Sequence, residues 1–153
     1  MVELIVVMVL VGILAVVAIP KLVSIQTYDT VGFADRVMSA LRFAQKQAIA
    51  KRRNVCVSFT ASTVSFTYAA AAGSGVSCTL NLTGPAGQNP YTIAPERSGV
   101  AFSAVPAGFG FSALGRTIDT GTFAALTTAQ VITVTGDGST TIRVEPETGY
   151  VHT

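Results

Sequence analysis

The amino-acid sequence predicts an α+β fold, in which one long N-terminal helix packs on an antiparallel β-sheet. An uninterrupted apolar run from Leu4 to Ile19 opens the chain. A stripe of apolar side chains at helical spacing then continues to about Arg52. From Val55 onward the apolar period shortens towards two and Gly, Pro, Ser, Thr and Asn become frequent, which is typical of short strands. We therefore expect a helix in two halves, followed by the sheet.

The apolar run has three interpretations: a signal-peptide core, a buried helix or a membrane span. A cleaved signal needs a basic start and a small-residue cleavage site after about 7–15 apolar residues, whereas this run is longer and ends in Ile19-Pro20-Lys21. Its sixteen uncharged residues rise about 24 Å, less than the hydrocarbon thickness of about 30 Å unless the helix extends. We interpret residues 1–25 as a membrane-associated helix. Pro20 lacks a backbone donor, so a kink or melted turn is expected there.

The second half of the helix is predicted to be amphipathic. Its apolar stripe, at spacings of 3, 4, 3 and 4, consists of Ala34, Val37, Leu41, Ala44 and Ala48. Basic residues are expected on the opposite side, and no acid occurs among them; they are Arg36, Arg42, Lys46 and Arg53. This basic strip is either a solvated polar face or a strip that binds phosphate or a partner.

The remainder of the chain is predicted to form short antiparallel strands. VCVSFTASTVSFTYA indicates a hairpin that turns at residues 60–62. Further strand candidates are residues 91–94, 99–104, 108–112, 131–135 and 141–145. TGDGS between the last two supplies turn residues, so these two strands should pair antiparallel. AAAAGSG and LTGPAGQNP are predicted loops.

Composition argues against several functional classes. The net charge of +2 is too small to indicate nucleic acid or anionic lipid by itself. Two cysteines and the single histidine, His152, provide no zinc-ligand cluster. No Ser/His/Asp arrangement and no phosphate-binding glycine loop before a helix is visible. We therefore predict no catalytic activity, no metal and no cofactor.

Three stretches of the sequence resemble one family. VELIVVMVLVGILAVVAIPKL resembles the N-terminal helix of type IV pilins and type II secretion pseudopilins, including the acid Glu3, Gly12 and Pro20. ALRFAQKQAIAKRRNVCV is similar to the end of the long helix and the first strand in minor pseudopilins of the GspH/FimT type and the related mannose-sensitive haemagglutinin (MSHA) minor pilin MshC. GFGFSALGRT and TIRVEPETGYV resemble the glycine-containing strand ends of that group. Residues 69–107 fall in loops that vary within the family, and the resemblance does not extend to them.

The resemblance implies a structural subunit of a type IV filament machine: a type II secretion pseudopilus, a type IV pilus or an MSHA pilus. Residues 1–25 would be the transmembrane and assembly helix, and residues 26–153 a globular pilin domain, with an amphipathic helix at 26–53 and a β-rich part at 55–153. The chain would be held by a single pass in the bacterial inner membrane, with its domain in the periplasm, before entering the filament. Implied partners are other pilin subunits, the inner membrane and, for the precursor, prepilin peptidase.

Two departures from the family pattern affect these expectations. Family members carry a basic leader and Gly-Phe-Thr-Leu before Val-Glu-Leu, and Met1 stands where that leucine is expected, so we expect the genomic reading frame to continue upstream. DNA-binding members of the FimT branch carry Gly-Arg-x-Arg near the C-terminus, where this chain reads Gly149-Tyr150-Val151-His152. The alternative function, a DNA-binding competence pilin using the basic strip, is weakened by this loss.

Glu3 has two possible roles. An exposed acid in the first turn of a helix gains about 0.3–1 kcal/mol from the helix dipole. The resemblance implies a larger role, in which the carboxylate pairs with the N-terminal amine of a neighbouring subunit and sets the register of assembly.

Cys56 and Cys78 are either buried thiols or a disulfide. We predict a disulfide, because a domain beyond a membrane anchor normally lies in an oxidising compartment. Closing a loop of this length would stabilise the fold by about 3 kcal/mol on the chain-entropy model.

Overall fold

A computed structural model of the chain describes residues 2–23, 25–73 and 75–153, and of residues 17–23 and 25–27 it describes the backbone alone. Two helices come first, α1 at Val2–Val23 and α2 at Ile25–Lys51. The bounds of α1 include position 20. The kink or melted turn expected at Pro20 stays a prediction, because that side chain lies outside the described ones.

Helix α2 packs through the predicted stripe. All five stripe positions, Ala34, Val37, Leu41, Ala44 and Ala48, are at most 1% exposed. Alanine at three of them lets the helix lie close to the sheets, while Val37 and Leu41 fill the space between the helix and the strands. The amphipathic half of the helix is therefore confirmed, and it ends at Lys51, shortly before the ends expected at about Arg52 and at residue 53.

In the part of the chain that the structure describes, ten strands follow α2 and form two antiparallel sheets. The first sheet has the order β3-β2-β1-β6-β7, with β4 also paired to β2, and the second has the order β10-β9-β8-β5. The strands are β1 (Val55–Phe59), β2 (Val64–Ala69), β3 (Cys78–Asn81), β4 (Thr92–Ile93), β5 (Ala101–Phe102), β6 (Phe109–Phe111), β7 (Thr117–Asp119), β8 (Gln130–Thr135), β9 (Ser139–Val144) and β10 (Val151–His152). Side chains from both sheets join α2 in one hydrophobic core.

Both predicted hairpins are confirmed. Strands β1 and β2 pair from Val55↔Tyr68 to Phe59↔Val64, and β8 and β9 pair from Gln130↔Val144 to Thr135↔Ser139. Strands β3, β7 and β10 were not expected from the sequence. They contain two to four residues, too few to show a period of two.

The predicted disulfide is confirmed. Cys56 in β1 is bonded to Cys78 in β3, with their Cα atoms 6.0 Å apart. Strand β2 lies between β1 and β3 in the sheet order, so the bond connects two strands that are not neighbours. It also closes the Ala- and Gly-rich loop that joins β2 to β3.

Candidate assembly helix and basic surface

Helix α1 exposes its described large apolar side chains, those from Val2 to Val16, around its whole circumference. Twelve large apolar residues between Val2 and Val16 are each 51–76% exposed. A Cβ placed on Gly12 would meet no atom within 4 Å. A helix that is apolar on every side is normally surrounded by other apolar groups, so α1 presents a surface that the rest of this chain leaves uncovered.

Glu3 lies in the first turn of this apolar helix and is exposed. A carboxylate here would gain a small amount from the helix dipole. In the part of the chain whose side chains the structure describes, no helix is both long and apolar enough to span a membrane.

The four basic residues predicted as one strip make different contacts. Arg36 donates a hydrogen bond of 2.9 Å from Nη1 to Glu96. Arg42 donates from Nε and Nη2 to the carbonyl oxygen of Val151 in β10, at 3.2 and 2.8 Å.

Arg53 donates from Nη1 to the carbonyl oxygen of Ala70, at 2.8 Å, and Lys46 is exposed. Three of the four predicted strip residues are thus bound to other parts of the chain. At 3.6 residues per turn, Arg36 also lies about 120° around the axis of α2 from Arg42 and about 80° from Lys46.

Gln45, which the sequence did not single out, joins α2 to both sheets. Its Nε2 atom donates to the carbonyl oxygen of Gly115 at 3.1 Å and to that of Thr148 at 2.7 Å. Gly115 follows β6 in the first sheet, and Thr148 lies between β9 and β10 of the second. Gly149 has φ of 63°, and a Cβ there would collide with the Gly115 carbonyl and with Gln45. The sequence features that could have predicted this contact of Gln45 with both sheets are the glycines in GFGFSALGRT and TIRVEPETGYV.

A polar cluster holds the C-terminal strand. Glu145 Oε1 accepts hydrogen bonds from Arg143 Nε and His152 Nε2, both at 3.1 Å. The ring of His152 stacks on Tyr150 with centroids 5.2 Å apart. The hydrogen bond from His152, and then the charge of Arg143, lower the pKa of Glu145. Among residues 2–23, 25–73 and 75–153, no group of three His, Cys, Asp or Glu residues is placed to hold a metal ion.

Two solved structures have the same fold as this chain. Both are crystal structures of the type IV minor pilin FimU from Pseudomonas aeruginosa, strain PAO1. One superimposes with a TM-score of 0.57 at 11% identity, covering 82% of this chain and 88% of that one. The fold is that of a type IV minor pilin. The second crystal form gives a TM-score of 0.52 at 12% identity, over 79% of this chain and 89% of the other.

The comparison confirms the fold expected from the pilin resemblance, a long N-terminal helix on an antiparallel sheet domain. No family model matches the chain, and a search of curated proteins finds no match. The finer assignments to the GspH, FimT or MshC group stay predictions.

Proposed function

We propose that this chain is a structural, non-catalytic subunit of a type IV filament, and that α1 is the element through which it assembles. The observation that carries the proposal is the uncovered apolar surface of α1 on a domain of pilin fold. Fully burying one large aliphatic side chain is worth about 1.5–3 kcal/mol. Covering twelve such residues is therefore a large driving force for association with similar helices.

The proposed cellular route follows from the same features. Before assembly the apolar helix would lie in the inner membrane, and the sheet domain would lie in the periplasm, where the disulfide between Cys56 and Cys78 would persist. Prepilin peptidase would cut the precursor and so create the free N-terminal amine that pairs with Glu3 of a neighbouring subunit. The filament would be a type IV pilus, a type II secretion pseudopilus or an MSHA pilus, and neighbouring genes would distinguish these.

The DNA-binding alternative has less support. Three of the four strip residues already bind groups of the chain itself, and the two C-terminal arginines of DNA-binding relatives are missing. A gel-shift titration across a salt series tests it, because each phosphate contact adds to the salt dependence of binding.

The variant Glu3→Val in the full-length, correctly processed protein tests the role of α1. It removes a charge from an apolar helix, so the amount of protein in the membrane should be unchanged or slightly higher. Recovery in sheared filaments should fall, because the amine of the neighbouring subunit would lose its partner, a loss of about 3–5 kcal/mol for a broken buried pair. Quantitative immunoblots of both fractions measure the effect.

Glu3→Asp is the matched control, since it keeps the charge and should retain most of the recovery. Normal recovery of Glu3→Val in filaments would contradict the pairing role, and would reduce Glu3 to an acid that interacts with the helix dipole.

A further inference from the structure

A cleft between α2 and the segment that joins β3 to β4 contains a largely buried hydroxyl group. The cleft has a volume of about 340 Å³, and its lining includes Asp35, Arg36, Ser39, Pro85, Gln88 and Tyr91. Tyr91 is only 5% exposed, yet its hydroxyl makes no hydrogen bond with any residue that the structure describes. Because buried polar groups normally have a partner, this hydroxyl indicates a group that the single chain does not supply.

The ring of Tyr91 is fixed by the core, and its hydroxyl opens on the cleft. The ring stacks on Phe66 with centroids 5.1 Å apart, and Phe43 contacts it edge to face at 5.5 Å. The hydroxyl oxygen is not fully enclosed by these neighbours. Burial raises the pKa of Tyr91, and the charge of Arg36 opposes this rise only in part. The hydroxyl therefore keeps its proton at neutral pH and can donate it to an acceptor in the cleft.

The helix side of the cleft carries two opposite charges. Arg36 Nη1 donates to Glu96 at 2.9 Å, and the other nitrogen atoms of the guanidinium remain for a second acceptor. Asp35 makes no ion pair with any described residue. Ser39 is exposed and lies about one helical turn after both. Helix α2 thus offers a cation, a carboxylate and a hydroxyl within about one turn.

The opposite side of the cleft is a loop whose shape is set by its own hydrogen bonds. The backbone N–H of Gly84 donates to the carbonyl oxygen of Gln88 at 2.8 Å, and Gln88 Oε1 accepts from the N–H of Ala86 at 3.3 Å. A Cβ on Gly84 would collide with Gln88 and Tyr91, so this glycine lets the loop close against both side chains. The carboxamide of Gln88 is therefore oriented through its oxygen and still has its N–H donors.

We propose that this cleft binds a small zwitterion, an α-amino acid with an aliphatic side chain. The carboxylate of the ligand accepts hydrogen bonds from Arg36 and Tyr91, and its ammonium group pairs with Asp35. The aliphatic side chain lies on Pro85 and on Ile93, which also lines the cleft. Hydrogen bonds that involve charged groups are the stronger ones, and a few fixed polar groups beside apolar surface are typical of small-molecule sites.

The charges and the size of the cleft disfavour other classes of ligand. Asp35 repels an anion that has no amino group, and Arg36 repels a cation that has no carboxylate. A flat ligand that needs an aromatic face is disfavoured, because Phe66 and Phe43 already contact the ring of Tyr91. The volume of about 340 Å³ is at the lower end of the range for ligand pockets, about 300–1,000 Å³, which suits a ligand of amino-acid size.

This inference goes beyond the proposed function and does not depend on it. The residues of the cleft belong to α2, β4 and the segment before β4, and none of them belongs to α1. Binding of the amino acid and recovery in filaments are therefore separate measurements, and either can fail without the other.

NMR titration of the full chain in detergent micelles tests the site, with L-leucine as the probe. The ¹H–¹⁵N spectrum should show saturable shifts of the Ser39 backbone amide and of the Gln88 side-chain amide. Isocaproate, which lacks the amino group of leucine, and isoamylamine, which lacks its carboxylate, should each bind about tenfold more weakly or worse. No saturable shift with leucine up to about 10 mM would overturn the proposal, and so would equal affinity for leucine and isocaproate.

Two conservative variants identify the groups that bind the probe. Tyr91→Phe removes the hydroxyl and keeps the ring, and it should weaken leucine binding about tenfold or more. Asp35→Asn should weaken leucine binding by a similar factor, yet leave isocaproate binding unchanged or stronger, because the repulsion of its carboxylate is removed. Tyr150→Phe, the same change at an exposed tyrosine outside the cleft, is the control and should leave leucine binding unchanged. Unchanged leucine affinity in both Tyr91→Phe and Asp35→Asn would overturn the proposal.

Discussion

Helices α1 and α2 follow each other along the chain, but they differ in whether the chain itself buries their apolar side chains. The described large apolar side chains of α1, up to Val16, are all more than half exposed, whereas the stripe of α2 is almost completely buried. In α2 the apolar residues recur at helical spacing and face two sheets. In α1 they occupy nearly every position. A helical stripe thus specifies packing within one chain, while an apolar helix without a polar face requires surroundings that other molecules supply.

The largest expected effect comes from removing the same side-chain atoms from the two helices, one leucine at a time. Leu41→Ala should lower the free energy of unfolding by about 2–5 kcal/mol, because Leu41 is completely buried and its removal leaves a cavity. Leu10→Ala, at 55% exposure, should change it by less than about 0.5 kcal/mol. Urea unfolding of both proteins in detergent, followed by circular dichroism, measures the difference.

For recovery in filaments the order of the two variants should be reversed, because Leu10 would act directly on assembly and Leu41 only through the stability of the domain. Leu10→Ala should reduce recovery although the domain stays folded. Equal loss of stability in the two variants would show that α1 packs on its own domain.

Loss of the disulfide should act on the domain alone. Cys56→Ser with Cys78→Ser should lower the free energy of unfolding by about 3 kcal/mol, since the loop is then no longer closed in the unfolded chain. Chemical reduction of the wild-type protein should lower its melting temperature by about as much as the double substitution does. The helical signal of α1 should persist after the domain melts. A melting temperature that reduction leaves unchanged would contradict this prediction.

The smallest expected effect is the pH dependence of the C-terminal cluster. The pKa of Glu145 is lowered in the fold, mainly by the hydrogen bond from His152, so its carboxylate adds stability above its unfolded pKa of about 4.3. That contribution is lost as the pH falls through the lower, folded pKa. Glu145→Gln should therefore lower the melting temperature at pH 6–7 and match the wild type in strong acid. A constant difference at every pH would refute the assignment to the charge of Glu145.

The sequence predicted the elements in which the spacing of apolar residues repeats over enough positions to show a helical or strand period. The stripe of α2 extends over four turns, and each of the two hairpins combines strands of five or six residues with a recognisable turn. Strands β3, β7 and β10 are defined by their neighbours in the sheets and not by their own two to four residues. Their existence is a consequence of tertiary pairing.

Candidate residues could be predicted where a local sequence motif contains them, and could not be predicted where the contacts come from the folding of distant segments. Glu3 is conspicuous because it is the acid beside an apolar run. Gln45 is one polar residue on an amphipathic helix, and its two acceptors are backbone carbonyls 70 and 103 positions away. Spacing alone also grouped Arg36 with the other basic residues, although it pairs with Glu96 while Arg42 binds β10.

The bonds of Gln45 and Arg42 give the domain a defined response to tension. A force that pulls on α2 from its N-terminal end would act on a helix whose side chains are hydrogen-bonded to the first sheet at Gly115 and to the second at Thr148 and Val151. Sliding α2 by one residue, about 1.5 Å, would stretch all of these bonds at the same moment. The load would be shared in shear, so α2 would be extracted from the domain only when both sheets released it together.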